Sequence, residues 1–174
     1  VCVDFEQHGE ALWVNPEDVA KLESVGTIAV SPDGSRVAYT TASLPNVIEG
    51  EDNGSTTQQL RMAYGPDNAR DFLPEDVSVS TIKFSPDGRM VSFLWSKGSE
   101  DRAVWGIPVD GGAQVKLAAV KDTGVRSYAW APDGSTLYLL AGAAPDKDRE
   151  AEAKDGFNAI VYEEESRFNR LFSA

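Results

Sequence analysis

Ser31-Pro32-Asp33-Gly34, Ser85-Pro86-Asp87-Gly88 and Ala131-Pro132-Asp133-Gly134 are three copies of one turn. Each copy joins two apolar runs. The first lies between Thr27-Ile28-Ala29-Val30 and Val37-Ala38-Tyr39, and the second between Ile82-Lys83-Phe84 and Val91-Ser92-Phe93-Leu94-Trp95. The third lies between Tyr128-Ala129-Trp130 and Leu137-Tyr138-Leu139-Leu140. Proline presets φ for the second position of a type I turn, serine suits the first, and glycine suits the last, where a left-handed backbone is often needed. Such a turn between two β-rich runs predicts a hairpin. Pro32, Asp33, Gly34, Pro86, Asp87, Gly88, Pro132, Asp133 and Gly134 are therefore read as structural turn residues, with the aspartates recurring because the turn favours them.

Outward from each hairpin the pattern repeats. The first unit is Thr27–Val30, Arg36–Thr41, Gln58–Tyr64 and Ala69–Leu73, with a polar loop over Pro45–Ser55 and a turn at Gly65-Pro66-Asp67-Asn68. The second is Ser80–Phe84, Met90–Trp95, Ala103–Val109 and Gln114–Leu117, with a turn at Asp110-Gly111-Gly112. The third begins with Arg126–Trp130 and Thr136–Ala141. The turn prolines are 54 and then 46 residues apart, and four short strands per about 40 to 50 residues is the size of a β-propeller blade. The predicted fold is all-β: a partial WD40-like propeller with two full blades (27–76 and 77–123) and an incomplete third (124–174). A charged, solvated excursion over 143–156 interrupts the third. Asn158–Tyr162 returns to strand character. Arg170-Leu171-Phe172 is expected to open the third strand of that blade, matching Leu60-Arg61-Met62 and Ala103-Val104-Trp105.

Residues 1–26 are expected to be an arm and a short helix. Asn15 is a good N-cap, Pro16 suits the first helical position, and Glu17 and Asp18 favour the helix dipole. Val19 and Leu22 share a face, and Gly26 is expected to end the helix.

The chain has 174 residues, one cysteine and a net charge of −12 from 28 acidic and 16 basic side chains. This balance argues against nucleic-acid binding, which needs a basic face. Cys2 alone excludes an internal disulfide framework and a cysteine-based zinc site. No apolar run approaches the roughly 18 residues of a membrane span. The compartment, cytoplasmic or periplasmic, is left open, and no cofactor is indicated.

The turns resemble the WD40-like PD40 repeats of TolB and of the propellers of prolyl oligopeptidase (S9) family serine peptidases. Two further stretches favour the peptidases. Asn15-Pro16-Glu17-Asp18-Val19-Ala20-Lys21-Leu22, running into the first turn, is similar to the helix and first blade of acylaminoacyl-peptidase and dipeptidyl-aminopeptidase relatives. Gly156-Phe157-Asn158-Ala159-Ile160-Val161-Tyr162-Glu163-Glu164-Glu165 followed by Arg167-Phe168-Asn169-Arg170-Leu171 is similar to a segment those enzymes carry at a comparable point. The resemblance implies a propeller that gates peptide substrates and packs on a C-terminal α/β-hydrolase domain bearing a Ser-His-Asp triad. The chain itself has no Gly-x-Ser-x-Gly elbow and its one histidine is His8, so no triad can be assembled from it and no catalytic residue is assigned. The alternative is a TolB-like propeller that binds proteins without catalysis.

The resemblance also implies a substrate site. Tyr162-Glu163-Glu164 matches the stretch that holds a substrate's free amino terminus in dipeptidyl-peptidase-type relatives, where two carboxylates pair with one ammonium. The competing reading of Glu163 and Glu164 is a charged strand end balanced by Arg167 and Arg170. Asp146-Lys147-Asp148 is no calcium loop, because Ala151 and Phe157 stand where glycine and glutamate are required. Trp95, Trp105 and Trp130 fall within strand patterns and are read as blade core. A propeller closes to remove its edges, so open blade edges here are expected to permit self-association.

Overall fold

A computed structural model describes residues 22–43, 56–65, 67–74, 77–143, 154 and 168–174. Eleven strands are found among them. The first antiparallel sheet contains β1 (Glu23–Val30), β2 (Val37–Ser43), β3 (Thr57–Ala63) and β4 (Ala69–Asp71), in that order. The second contains β5 (Ser80–Phe84), β6 (Met90–Trp95), β7 (Ala103–Pro108) and β8 (Val115–Ala118), again in chain order. The third contains β9 (Val125–Trp130), β10 (Leu137–Gly142) and β11 (Asn169–Ser173), with β10 central. The all-β, blade-by-blade fold expected from the turns is thus the observed one.

Two expectations are corrected. Gly26 does not end a helix: Glu23, Ser24 and Val25 pair with Ser43, Ala42 and Thr41, so β1 begins four residues before Thr27. Thr40 holds this stretch close and leaves no room for a side chain at Gly26. The Thr27 amide donates to Thr40 Oγ1 at 3.0 Å, and a Cβ on Gly26 would come within 2.6 Å of that same oxygen. The residues proposed to start the helix lie outside the described residues, as do the polar loop at 45–55 and the strand at 158–162. Of the charged excursion only Ala143 and Lys154 are among the described residues, and Lys154 has helical backbone.

The second correction concerns register. Thr40 pairs with Leu60, Leu94 with Val104, and Leu140 with Leu171. Arg170-Leu171-Phe172 therefore matches Ala103-Val104-Trp105 as expected, but matches Gln59-Leu60-Arg61 in the first sheet, one residue from the expected alignment. Alternation decides this. The pleat sends successive side chains to opposite faces, so a one-residue slip would put Leu60 on the wrong face.

Each first strand carries the same irregularity. The register shifts between Val25 and Ile28 in β1, between Ser80 and Lys83 in β5, and opposite Leu140 and Ala141 in β9. These bulges let Val25 and Ile28, Val79 and Ile82, and Val125 and Tyr128 face the same way despite a spacing of three. Thr81 sits in the β5 bulge with φ +52°, a strained conformation for a β-branched residue.

The core lies between sheets. Ala38, Leu60 and Met62 of the first sheet meet Val79, Ile82, Phe84, Val91 and Phe93 of the second. Leu94, Val104 and Ala118 of the second meet Val125, Tyr128, Leu137 and Leu139 of the third. Leu60, Met62, Phe93, Val104 and Val125 are fully buried, and each such side chain contributes about 1.5–3 kcal/mol.

Candidate functional site

The three turns have one geometry. Gly34 donates its amide to the Ser31 carbonyl, Gly88 to that of Ser85, and Gly134 to that of Ala131, each at 2.9 Å. All three glycines have φ between +70° and +72°, where a side chain would be strained. Asp33 Oδ1 accepts from the Ser31 hydroxyl at 2.6 Å and the Ser35 amide at 3.1 Å. Asp87 accepts from the Ser85 hydroxyl at 2.6 Å and the Arg89 amide at 3.1 Å. Asp133 accepts from the Ser135 amide at 3.0 Å and its hydroxyl at 2.9 Å. These bonds favour the ionised acid. The Ser31 hydroxyl, with help from Ser35, holds Asp33 at about 2. The Ser85 hydroxyl lowers Asp87, and the Ser135 amide lowers Asp133. The aspartates are turn acceptors.

The turns also stack. A Cβ on Gly88 would lie 3.4 Å from Pro32 Cδ, and one on Gly134 would lie 3.6 Å from Pro86 Cδ. Each proline thus stands next to the glycine of the next copy, at the distance where a side chain on that glycine would touch it.

Buried polar groups join the second and third sheets. Ser92 Oγ lies 2.9 Å from the Tyr128 hydroxyl, accepts from Trp130 Nε1 at 2.9 Å and donates to the Lys83 carbonyl at 3.0 Å. The Tyr128 hydroxyl is also 2.9 Å from the Thr81 carbonyl oxygen. Lys83 Nζ donates to the Tyr128 carbonyl at 2.7 Å. Burial raises the Tyr128 hydroxyl well above its ordinary value, and the bond to Ser92 only partly opposes this, so it stays protonated as a donor. Sequence reasoning missed this cluster. Its one visible signal was Lys83 and Ser92 set within apolar strand runs.

A lighter set links the first two sheets. The Tyr64 hydroxyl donates to the Val109 carbonyl at 3.1 Å, Arg70 donates to that hydroxyl at 2.6 Å, and Arg36 pairs with Asp110 at 3.2 Å. The tryptophans take the core roles expected of them. Trp95 and Trp105 meet edge-to-face with centroids 5.0 Å apart, Trp105 is nearly buried, and Trp130 is anchored by Ser92. Glu163 and Glu164, like His8 and Asp146-Lys147-Asp148, lie outside the described residues. Among the described residues no cluster of three metal-ligating side chains is found, and no helix is long and apolar enough to cross a membrane.

No family model matches the chain. By sequence it is 28% identical over 159 residues to Protein HIR1 of Yarrowia lipolytica, covering 74% of this chain and 15% of that protein. By structure it is similar to the acylaminoacyl peptidase of Pyrococcus horikoshii, with a TM-score of 0.57 and 17% identity, over 76% of this chain and 20% of that one. It is similar to the AtxE2 isopeptidase, with a TM-score of 0.61 and 18% identity, over 94% of this chain and 30% of that one. It is also similar to a TolB-type protein of Agrobacterium tumefaciens, with a TM-score of 0.53 and 17% identity, over 72% of this chain and 41% of that one. The chain therefore spans less than half the length of each of these proteins. At these identities the structural likeness is one of fold: the chain is a stack of β-propeller blades of the kind these proteins carry.

Proposed function

We propose that the chain is the propeller part of a serine peptidase of the prolyl oligopeptidase type. In that protein it packs on an α/β-hydrolase domain and admits peptides or unfolded chain ends to a Ser-His-Asp triad outside these 174 residues. The observation that carries this reading is the place of β11. The segment ending in Arg167-Phe168-Asn169-Arg170-Leu171 resembles one in acylaminoacyl-type relatives, and Asn169–Ser173 pairs with β10 as the third strand of its blade. The fold likeness to the Pyrococcus peptidase and to the isopeptidase supports it. Glu163 and Glu164 are the proposed anchor for a substrate's amino terminus.

The natural full-length protein tests this by cleavage of short peptides against a folded protein with the same cleavable sequence. Gating predicts cleavage of the peptides alone. Glu163→Gln with Glu164→Gln should erode the preference for free over blocked amino termini; unchanged preference would remove these residues from the site.

The second reading, a TolB-like module that binds proteins without catalysis, is favoured by the likeness to the Agrobacterium protein. A full-length protein with no hydrolase activity and a stable protein ligand would establish it.

A further inference from the structure

Two seams join the three sheets, and they are built from different chemistry. Both lie between described sheets, so the outer faces of the first and third sheets play no part in the comparison. The seam between the first and second sheets is apolar at its centre, where Leu60 and Met62 meet Val79, Ile82, Phe84 and Phe93. Its polar links include the Tyr64 hydroxyl to the Val109 carbonyl and Arg36 to the well-exposed Asp110. The seam between the second and third sheets has polar groups at its centre. Ser92 is 0% exposed, and its hydroxyl meets the Tyr128 hydroxyl and Trp130 Nε1 of the third sheet. The Tyr128 hydroxyl also reaches the Thr81 carbonyl, Lys83 Nζ donates to the Tyr128 carbonyl, and Arg102 Nε donates to the Val125 carbonyl at 2.8 Å.

The two seams therefore resist opening to different degrees. Parting Leu60 and Met62 from the second sheet brings apolar surface into water, and nothing in the opened state offsets that. The other seam also buries Val104, Val125 and Leu139. Parting Tyr128 and Trp130 from Ser92, however, exchanges bonds within the protein for bonds to water, which returns most of what is lost. A separate observation falls on the same seam. Thr81 has φ +52°, whereas Thr27 and Ser127, at the same bulge position in β1 and β9, have no such left-handed backbone. Strain of this kind persists only where its surroundings hold it, and it gathers at elements that switch. One bond that holds it comes across the seam, from the Tyr128 hydroxyl to the Thr81 carbonyl.

We propose that the blades part between the second and third sheets while the first and second stay together. The seam is a built-in opening. The bonds among Ser92, Tyr128 and Trp130 close it, and the strain at Thr81 is released when it opens. Opening uncovers a polar wall of hydroxyl, indole and lysine groups that water can satisfy in full. This inference concerns the two seams alone and does not rest on the peptidase reading.

Each seam carries one matched amide that reports on it. The Val79 amide donates to the Gln58 carbonyl across the first at 3.0 Å, and the Val125 amide donates to the Arg102 carbonyl across the second at 2.7 Å. By bond length alone Val125 would be the better protected; the proposal requires the reverse. Residue-resolved hydrogen exchange of the natural full-length protein under native conditions tests it. Relative to its unstructured rate, Val125 is expected to exchange at least about tenfold faster than Val79. Ser92→Ala is expected to speed Val125 by a further tenfold or so and to leave Val79 within about twofold of its original rate. Tyr128→Phe, which keeps the ring, should act in the same direction and serves if Ser92→Ala does not fold. Thr81→Gly is expected to slow Val125, because the closed seam no longer holds strain. Equal protection of the two amides, a faster Val79, a Val125 rate unmoved by the seam variants, or a rise at both amides together would each overturn the proposal.

Discussion

Pro32 lies against Gly88, close enough that a Cβ on the glycine would stand 3.4 Å from the proline ring. The first residue belongs to one blade's turn and the second to the next blade's, and Pro86 repeats the relationship with Gly134. The turn therefore does two jobs. Within a blade, its glycine takes the left-handed backbone that closes the hairpin. Between blades, its proline stands beside the next turn's glycine.

Equivalent positions should differ sharply in their response to truncation. Leu60→Ala empties a fully buried site and is expected to cost about 2–5 kcal/mol. Leu171→Ala, at the matching but exposed position, should change monomer stability by less than about 0.5 kcal/mol. Urea unfolding at low protein concentration checks the pair. Equal costs would contradict the assigned register.

Ser92→Ala should be costly for so small a change. It strands Trp130 Nε1 and removes one of two acceptors near the Tyr128 hydroxyl, a loss of about 1–3 kcal/mol. Tyr128→Phe should be partly non-additive with it, since the two share a bond. A double-mutant cycle by denaturant unfolding measures the coupling; full additivity would mean that the network does not form.

Thr81 is held at φ +52° in the β5 bulge. Thr81→Gly relieves that strain and is expected to stabilise the chain by about 1 kcal/mol, while Thr27→Gly should not. The thermal midpoints of the two variants decide it.

Stability should fall in acid through the turns. Hydrogen bonds from serine hydroxyls and backbone amides depress Asp33, Asp87 and Asp133 in the folded state. Their contribution is complete above the ordinary carboxylate value of 3.8 and is lost as pH falls through the folded value, for Asp33 between about 4 and about 2. Asp33→Asn should flatten the pH dependence of unfolding in that window and leave it unchanged between pH 6 and 8. An unchanged acid slope would show that the turn carboxylate is not preferentially ionised in the fold.

Much of this was legible in the sequence because local chemistry and global fold agree. Pro-Asp-Gly has few other uses between apolar runs, so hairpins, sheets and blade count followed from it, and Ser80–Phe84 and Met90–Trp95 were bounded to the residue. The misses have physical reasons. Glu23–Val25 looked like the end of a capped helix because Gly26 is a good stop, but pairing with Thr41–Ser43 outweighed that local signal. The first-sheet alignment differs by one because Ala103-Val104-Trp105 is apolar throughout and gives no alternation by which to phase it against Leu60-Arg61-Met62. The bulges and the Ser92–Tyr128 bond are long-range, spanning 36 residues in the latter case, and no local pattern announces them. Glu163 and Glu164 were legible only through resemblance.

We propose that these blades serve a catalytic centre outside the 174 residues. Labelling with a fluorophosphonate probe tests it most directly, applied in parallel to the natural full-length protein and to the 174-residue chain. Covalent labelling of the full-length protein is expected at a serine outside these residues, and none of the chain alone. Labelling within the 174 residues, or none in an active, folded full-length protein, would contradict it.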